Sequence, residues 1–205
     1  MRALAVAGIA HPGGTEDVDA DMDALSLETA APAGEVEATL ADLPPARGGV
    51  LLVGINPVAK SVAAGHYYQG TFGRRLWQRL ERLDLLADPQ PGAEDVAFTA
   101  MGHGLTDVVK RPTKAAREVS AQEMRLGAAE LREKIARWQP GLVLFAFKQA
   151  AAAVVDRVDV KPGLGPAIGD VPTFLLSGPL APRAQADEVD RQLADVLAAL
   201  GTRAC

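Results

Sequence analysis

The stretch Val50-Leu51-Leu52-Val53-Gly54-Ile55-Asn56-Pro57 decides how the rest of the chain is read. Four consecutive apolar residues, two of them β-branched, are stopped by a glycine and turned by Asn-Pro. A continuous apolar run of that length, closed by turn residues, suits a strand buried on both faces, as in a parallel sheet. Working downstream, Leu76, Leu80 and Leu83 recur at helical spacing with Arg74, Arg75, Arg79 and Arg82 beside them, which predicts an amphipathic helix. Leu105–Val109 forms a second short apolar stretch, followed by Lys110-Arg111-Pro112-Thr113. Ser120 with Glu123 three residues on is a capping-box pattern. Met124, Ala128, Leu131, Ile135 and Trp138 then make one helical stripe, ended by Pro140-Gly141. Leu142–Ala146 and Phe174–Leu176 supply two more apolar strands, and Val189, Leu193, Val196, Leu197 and Leu200 a last helix.

Strands alternating with helices predict an α/β fold: a three-layer α/β/α sandwich whose mostly parallel central sheet has about four strands. Ligands of such sheets sit beyond the carboxyl ends of the strands. That places the turn at Asn56, the Lys110–Thr113 loop, the turn before Lys148 and the loop Ser177–Arg183 on one rim. Residues 58–73 are expected as a loop with at most a short helical turn, since Gly65, Gly70 and Gly73 surround His66, Tyr67 and Tyr68.

Composition narrows the function. The chain has 205 residues, 48% hydrophobic and 23% charged, which is globular in character. No apolar run approaches the ~20 residues that span a bilayer. The first ten residues, MRALAVAGIA, lack the pattern of a cleaved signal, so a cytoplasmic protein is expected, with no membrane partner. The single Cys205 and three scattered histidines speak against a disulfide, a metal site or an iron–sulfur cluster, and no cofactor is expected. Neither GxGxxG nor GxxxxGK[ST] occurs. The net charge of −5 is uneven: residues 1–48 carry nine acids and two bases, leaving the remainder at +2. Residues 1–37 therefore read as an acidic, loosely attached extension and 38–205 as the folded domain. Basic clusters at Arg74, Arg75, Arg79, Arg82 and at Lys110, Arg111, Lys114, Arg117 have the character of a phosphate-backbone surface or of solvated helix faces.

Asn56 is an amide and cannot take a proton efficiently, but it can hold a water in place. A site built on it suits a reaction whose leaving group departs early and whose nucleophile needs placement. Read alone, Asn before Pro also serves simply to bond its own turn. Tyr67 and Tyr68 stand nearby, able to stack on a flat ligand or to pack on the sheet edge.

These residues also carry a resemblance. Gly54-Ile55-Asn56-Pro57, Ser61, Gly65-His66-Tyr67-Tyr68 and Leu76-Trp77 resemble the first motif of the mismatch-specific uracil/thymine DNA glycosylases, within the uracil-DNA glycosylase superfamily. Gly104-Leu105-Thr106-Asp107-Val108-Val109-Lys110-Arg111-Pro112-Thr113 is similar to that family's G-[LV]-T-x-[LV]-V-x-R-P-T segment. Further short matches follow in family order to Lys148-Gln149-Ala150, and the resemblance covers about 40–200. It implies a monofunctional glycosylase that hydrolyses the N-glycosidic bond of uracil or a related base flipped out of DNA; DNA is the expected partner, and the protein is expected to be a monomer. It further implies Asn56 as the catalytic residue, base contacts at Ile55, Tyr68 and Ser177, and DNA contacts at Ser61, Lys110, Arg111, Lys148, Leu180, Ala181 and Arg183. Leu180 or Ala181 would be the wedge that fills the vacated stack. Two departures stand out: Val58 replaces a glycine after the first motif, which narrows the approach to the pocket, and Ser177–Arg183 replaces a second motif that reads like NPSGLSR. The alternatives are a non-catalytic DNA-binding relative and an unrelated small-molecule enzyme using the same rim.

Overall fold

The computed structural model describes residues 38–201. The acidic extension 1–37 lies outside the described residues. The elements run β1 Val50–Gly54, α1 Ala59–Ala64, α2 Thr71–Glu81, α3 Glu94–Ala100, β2 Gly104–Asp107, α4 Ala121–Trp138, β3 Leu142–Phe145, α5 Lys148–Val154, β4 Gly163–Ile168, β5 Val171–Leu175 and α6 Arg183–Ala199, with a single 3-10 turn at Ala116–Glu118. The strands form one five-stranded sheet in the order β2-β1-β3-β5-β4. All neighbours pair parallel except β4, which runs antiparallel to β5 at one edge. The α/β/α sandwich is as expected, with five strands.

The strand missing from the sequence reading is β4. Its sequence Gly163-Leu164-Gly165-Pro166-Ala167-Ile168 has two glycines and a proline, and no apolar run. Proline gives no N–H to a ladder and is confined to edges and bulges. Pro166 sits at the edge, inside the register shift between Gly165 and Ile168.

Side chains of the inner strands alternate between two cores, as a period of two requires. Val50, Leu52, Leu105, Leu144 and Phe174 face Leu76, Trp77 and Leu80 of α2, Phe98 of α3, and Val189, Leu193 and Leu197 of α6. Leu51, Val53, Val143, Phe145 and Leu175 face Met124, Ala128, Leu131 and Ile135 of α4, and Ala150, Ala151 and Val154 of α5. Each large aliphatic side chain so buried contributes about 1.5–3 kcal/mol. Helix α4 begins where the capping box predicts: Ser120 Oγ accepts from Glu123 N at 3.2 Å, and Ser120 N donates to Glu123 Oε2 at 2.8 Å. It ends on Gln139 in the left-handed region (φ 49°), directly before Pro140.

The sheet aims the first-motif turn. Beyond the end of β1 the chain keeps pairing with the segment after β2: Val108 N donates to Gly54 O, Val109 N to Ile55 O and Thr113 N to Pro57 O. Residues 54–57 and 107–113 therefore form one rigid platform at the carboxyl ends of β1 and its edge neighbour β2.

Candidate active site

Asn56 is held from three sides. Its Nδ2 lies 3.1 Å from Pro57 O, 3.2 Å from Arg111 O and 2.8 Å from Thr113 Oγ1, and Thr113 Oγ1 in turn donates to Ala115 O at 2.9 Å. Two of those partners are carbonyls, which only accept, so the amide nitrogen must face them. Among the described residues Oδ1 has no hydrogen-bond partner, and the bonds to Nδ2 fix its orientation as an acceptor. Thr113 belongs to the Lys110–Thr113 segment; its role as the clip on Asn56 was not read from the sequence.

Asn56 lines a cavity of about 140 Å³ together with Tyr67, Tyr68, Phe72, Asp107 and Phe147, among others. A cavity of ~150 Å³ holds a benzene-sized ring, so the space fits one planar ring. The walls are aromatic: Tyr68 packs edge-on to Trp77 (5.8 Å, 78°), and Phe72 stacks on Phe147 (4.9 Å, 28°). Val58 lines this cavity too, so the volume stands with its side chain in place.

Asp107 is the residue the sequence reading passed over. It is 4% exposed, lines the cavity, and its Oδ2 has no hydrogen-bond partner among the described residues. Burial pushes its carboxyl up to about 7; the charge of Lys110 works against that rise and the charge of Asp42 adds to it. The Tyr68 hydroxyl is likewise buried without a partner, and burial, with the Asp107 charge second, pushes it well above the usual phenol range. Both groups crowd one face of Gly54: a Cβ there would lie 2.1 Å from Asp107 Oδ1 and 2.8 Å from Tyr68 Oη. A polar residue next to a buried strand was the available signal, but an acid at a strand end more often faces solvent.

Tyr68 has a backbone φ of 52°, in the left-handed region. Gly73 of α2 passes so close that a Cβ would sit 1.4 Å from Tyr68 O. The aromatic loop and the start of α2 are thus locked together. Residues 59–64, expected as a loop with at most a short turn, form α1. Its Ser61 is 2% exposed and accepts from Gln69 N at 3.1 Å, which places it under the aromatic loop and not on the surface.

The other sequence-predicted residues are distributed as follows. Ile55 is buried in the core on the α4 side of the sheet, away from the cavity. Lys110 turns inward: its Nζ donates to Asp42 Oδ1 at 2.8 Å and to Tyr67 Oη at 3.3 Å. Lys134 Nζ reaches the other oxygen of Asp42 at 2.8 Å. Burial raises the Asp42 carboxyl, but hydrogen bonds from Lys110, Lys134 and Thr106 outweigh it and hold the group below its ordinary value. Lys110 thus braces the wall of the cavity through Tyr67. Arg111 pairs with Glu123 (2.6 Å) and donates to Glu118 O, while its own carbonyl receives Asn56. Lys148 is exposed at the start of α5. Ser177, with its hydroxyl buried and unpartnered, lines a neighbouring cavity and not that of Asn56. Leu180 is 96% exposed at the tip of the Ser177–Arg183 loop, Ala181 is half-buried, and Arg183 is exposed, 3.7 Å from Asp187.

The model of the uracil DNA glycosylase superfamily matches residues 41–201. The chain is similar to a G/U mismatch-specific uracil DNA glycosylase of Schizosaccharomyces pombe, 32% identical over 100 residues, which are 46% of this chain and 30% of that protein. The chain thus matches less than a third of the length of that curated relative.

Proposed function

The chain belongs to the uracil DNA glycosylase superfamily, and from that premise we propose that it is a monofunctional DNA glycosylase. Its substrate is uracil, or a related mismatched base, flipped out of duplex DNA. Flipping costs a few kcal/mol and is cheapest at a mismatch. The observation that carries the reading is Asn56 Oδ1, oriented by the hydrogen bonds to Nδ2, in a one-ring cavity with aromatic walls and the buried Asp107 carboxyl, whose Oδ2 has no partner among the described residues.

The extruded base enters the cavity and packs on the rings of Tyr68, Phe72 and Phe147. The C1′–N bond breaks, its electron pair leaving with the base and the sugar becoming oxocarbenium-like. A water accepted by Asn56 Oδ1 attacks C1′, and its proton passes to the Asp107 carboxylate and on to solvent or the departing base. An amide places the nucleophile, and a carboxyl with a pKa near 7 takes the proton. Among the described residues no lysine lines the cavity, so the reaction runs through water and not through a Schiff base. Leu180, exposed on its loop, fills the gap left in the base stack.

The test is single-turnover formation of alkali-labile sites in a duplex carrying one uracil opposite guanine. Asn56→Ala is expected to lower the rate at least about 100-fold while DNA binding is retained. Wild-type turnover by that variant would remove the water-placing role. Binding without abasic product by the wild type, across a panel of modified bases, would instead establish a non-catalytic DNA-binding relative.

A further inference from the structure

A second cavity of about 210 Å³ lies between α2 and the Ser177–Arg183 loop, sharing Phe72 as a wall with the cavity of Asn56. It is lined by Arg75, Arg79 and Arg82, at i, i+4 and i+7 along α2, and by Ser177, Asp187 and Asp190. The three arginines are not equivalent. Arg79 is a strut: its Nε donates to Asp190 Oδ1 at 2.6 Å and its Nη1 to Ser177 O at 3.1 Å, so it ties the root of the loop to α2 and α6. Asp190 is thereby neutralised, and Asp187 faces Arg183. Arg75 and Arg82 are exposed and make no ion pair among the described residues. Ser177, 6% exposed, has a hydroxyl with no partner among the described residues.

We propose that this groove is a docking site for the DNA backbone, taking the phosphates next to the flipped nucleotide on Arg75, Arg82 and the Ser177 hydroxyl. The inference rests on the glycosylase reading for its ligand and adds the place where the strand is gripped. Two unpaired guanidinium groups and an unsatisfied hydroxyl around one hollow match the acceptors of a phosphate. The site adjoins the base cavity through a single ring, and Arg79 holds the loop that bears Leu180 at its edge. Gripping the backbone here would fix the strand while Leu180 enters the stack.

The experiment uses the full chain. Affinity for a uracil-containing duplex is measured between 50 and 200 mM salt for the wild type, for Arg75→Ala/Arg82→Ala, and for Lys161→Ala as a remote charge control. Each phosphate contact contributes about 0.9 to the slope of log Kobs against log[salt]. The double variant is expected to lose about 1.8 of that slope and to raise KM, with kcat at saturating DNA within about twofold of wild type and an unchanged melting temperature. Lys161→Ala is expected to keep the wild-type slope. Ser177→Ala is expected to weaken binding a few-fold with the slope retained, since a neutral donor releases no counterion. A double variant with the wild-type slope overturns the proposal. So does saturation of the groove by millimolar inorganic phosphate without effect on duplex affinity, which would make it a small-anion site. If the slope changes as expected but the wild type forms no abasic product, the groove stands and the glycosylase reading fails.

Discussion

Replacing Asp107 by Asn separates the demands of function from those of folding. The carboxyl is 4% exposed, and burial moves it from 3.8 up to about 7. A group whose folded-state pKa is raised binds its proton more tightly in the folded than in the unfolded state. Its neutral form is therefore favoured, and stability falls as pH rises from about 4 to about 7. Three pKa units correspond to roughly 4 kcal/mol when the group is fully ionised. The amide removes that cost but brings an N–H₂ into the same space, and leaving it unsatisfied would cost about 1–3 kcal/mol. The balance at pH 8 is a variant more stable by about 1–3 kcal/mol, or roughly 2–12 °C in Tm for a domain of this size. At pH 4 the wild-type carboxyl is protonated in the fold and only the amide penalty remains, so the difference should reverse and leave the variant less stable by about 1–3 kcal/mol. His103 adds a second signature, because burial lowers its pKa to about 4. Its contribution is complete above 6.5 and is lost as pH falls to about 4, so in the wild type it offsets the Asp107 slope across that window. Of this pair only the histidine remains in Asp107→Asn, and it should make stability fall toward acid by up to about 1.4 kcal/mol per pH unit between about 6.5 and 4. Single-turnover cleavage should drop about 10²–10⁴-fold, and the wild-type rise in rate through pH 7 should vanish. Urea denaturation at pH 4, 6 and 8 beside the rate–pH profile reads both effects. A variant less stable at pH 8, or one that cleaves at the wild-type rate with the same inflection, refutes the reasoning.

Thr113→Val removes one of the three acceptors that orient Asn56. A loss of about 1 kcal/mol of positioning should lower kcat about fivefold with KM unchanged, and an unaltered kcat would show that the two carbonyls suffice. Gly73→Ala should destabilise the fold by about 3 kcal/mol or more, because its Cβ would meet the Tyr68 carbonyl, a backbone atom that cannot step aside. Chemical denaturation measures this, and a wild-type midpoint would mean that α2 does not need that close approach.

Much of the architecture was legible because local rules agree there. The apolar runs at Val50–Val53 and Leu142–Phe145 fit strands buried on both faces, and α4 starts at Ser120 by its capping box. Helix α3 and strand β4 carried weaker signals. The first is seven residues long, and the second is a glycine- and proline-bearing edge whose pairing depends on β5. At the site, Asn56 and Tyr68 were readable as candidates because they stand in an unusual turn and an aromatic loop. Asp107 was not, since its chemistry comes from desolvation and not from its neighbours in the chain.

Lys110 and Ser177 mark where local reading ends. A lysine beside Arg-Pro-Thr looks like a backbone contact, yet it is held by Asp42, 68 positions away. Ser177 stands at the head of its loop, yet Phe72 walls both its cavity and that of Asn56. The four parallel strands and the longer helices, the turn bearing Asn56 and the placement of loops on one rim follow from the chain alone, because apolar periodicity and turn chemistry act over a few residues. Which oxygen is left bare, which acid loses its water and which arginine remains unpaired were decided by folding. Those properties depend on what lies within a few ångströms in space, and only the assembled sheet brings β1, β2, α2 and α6 that close.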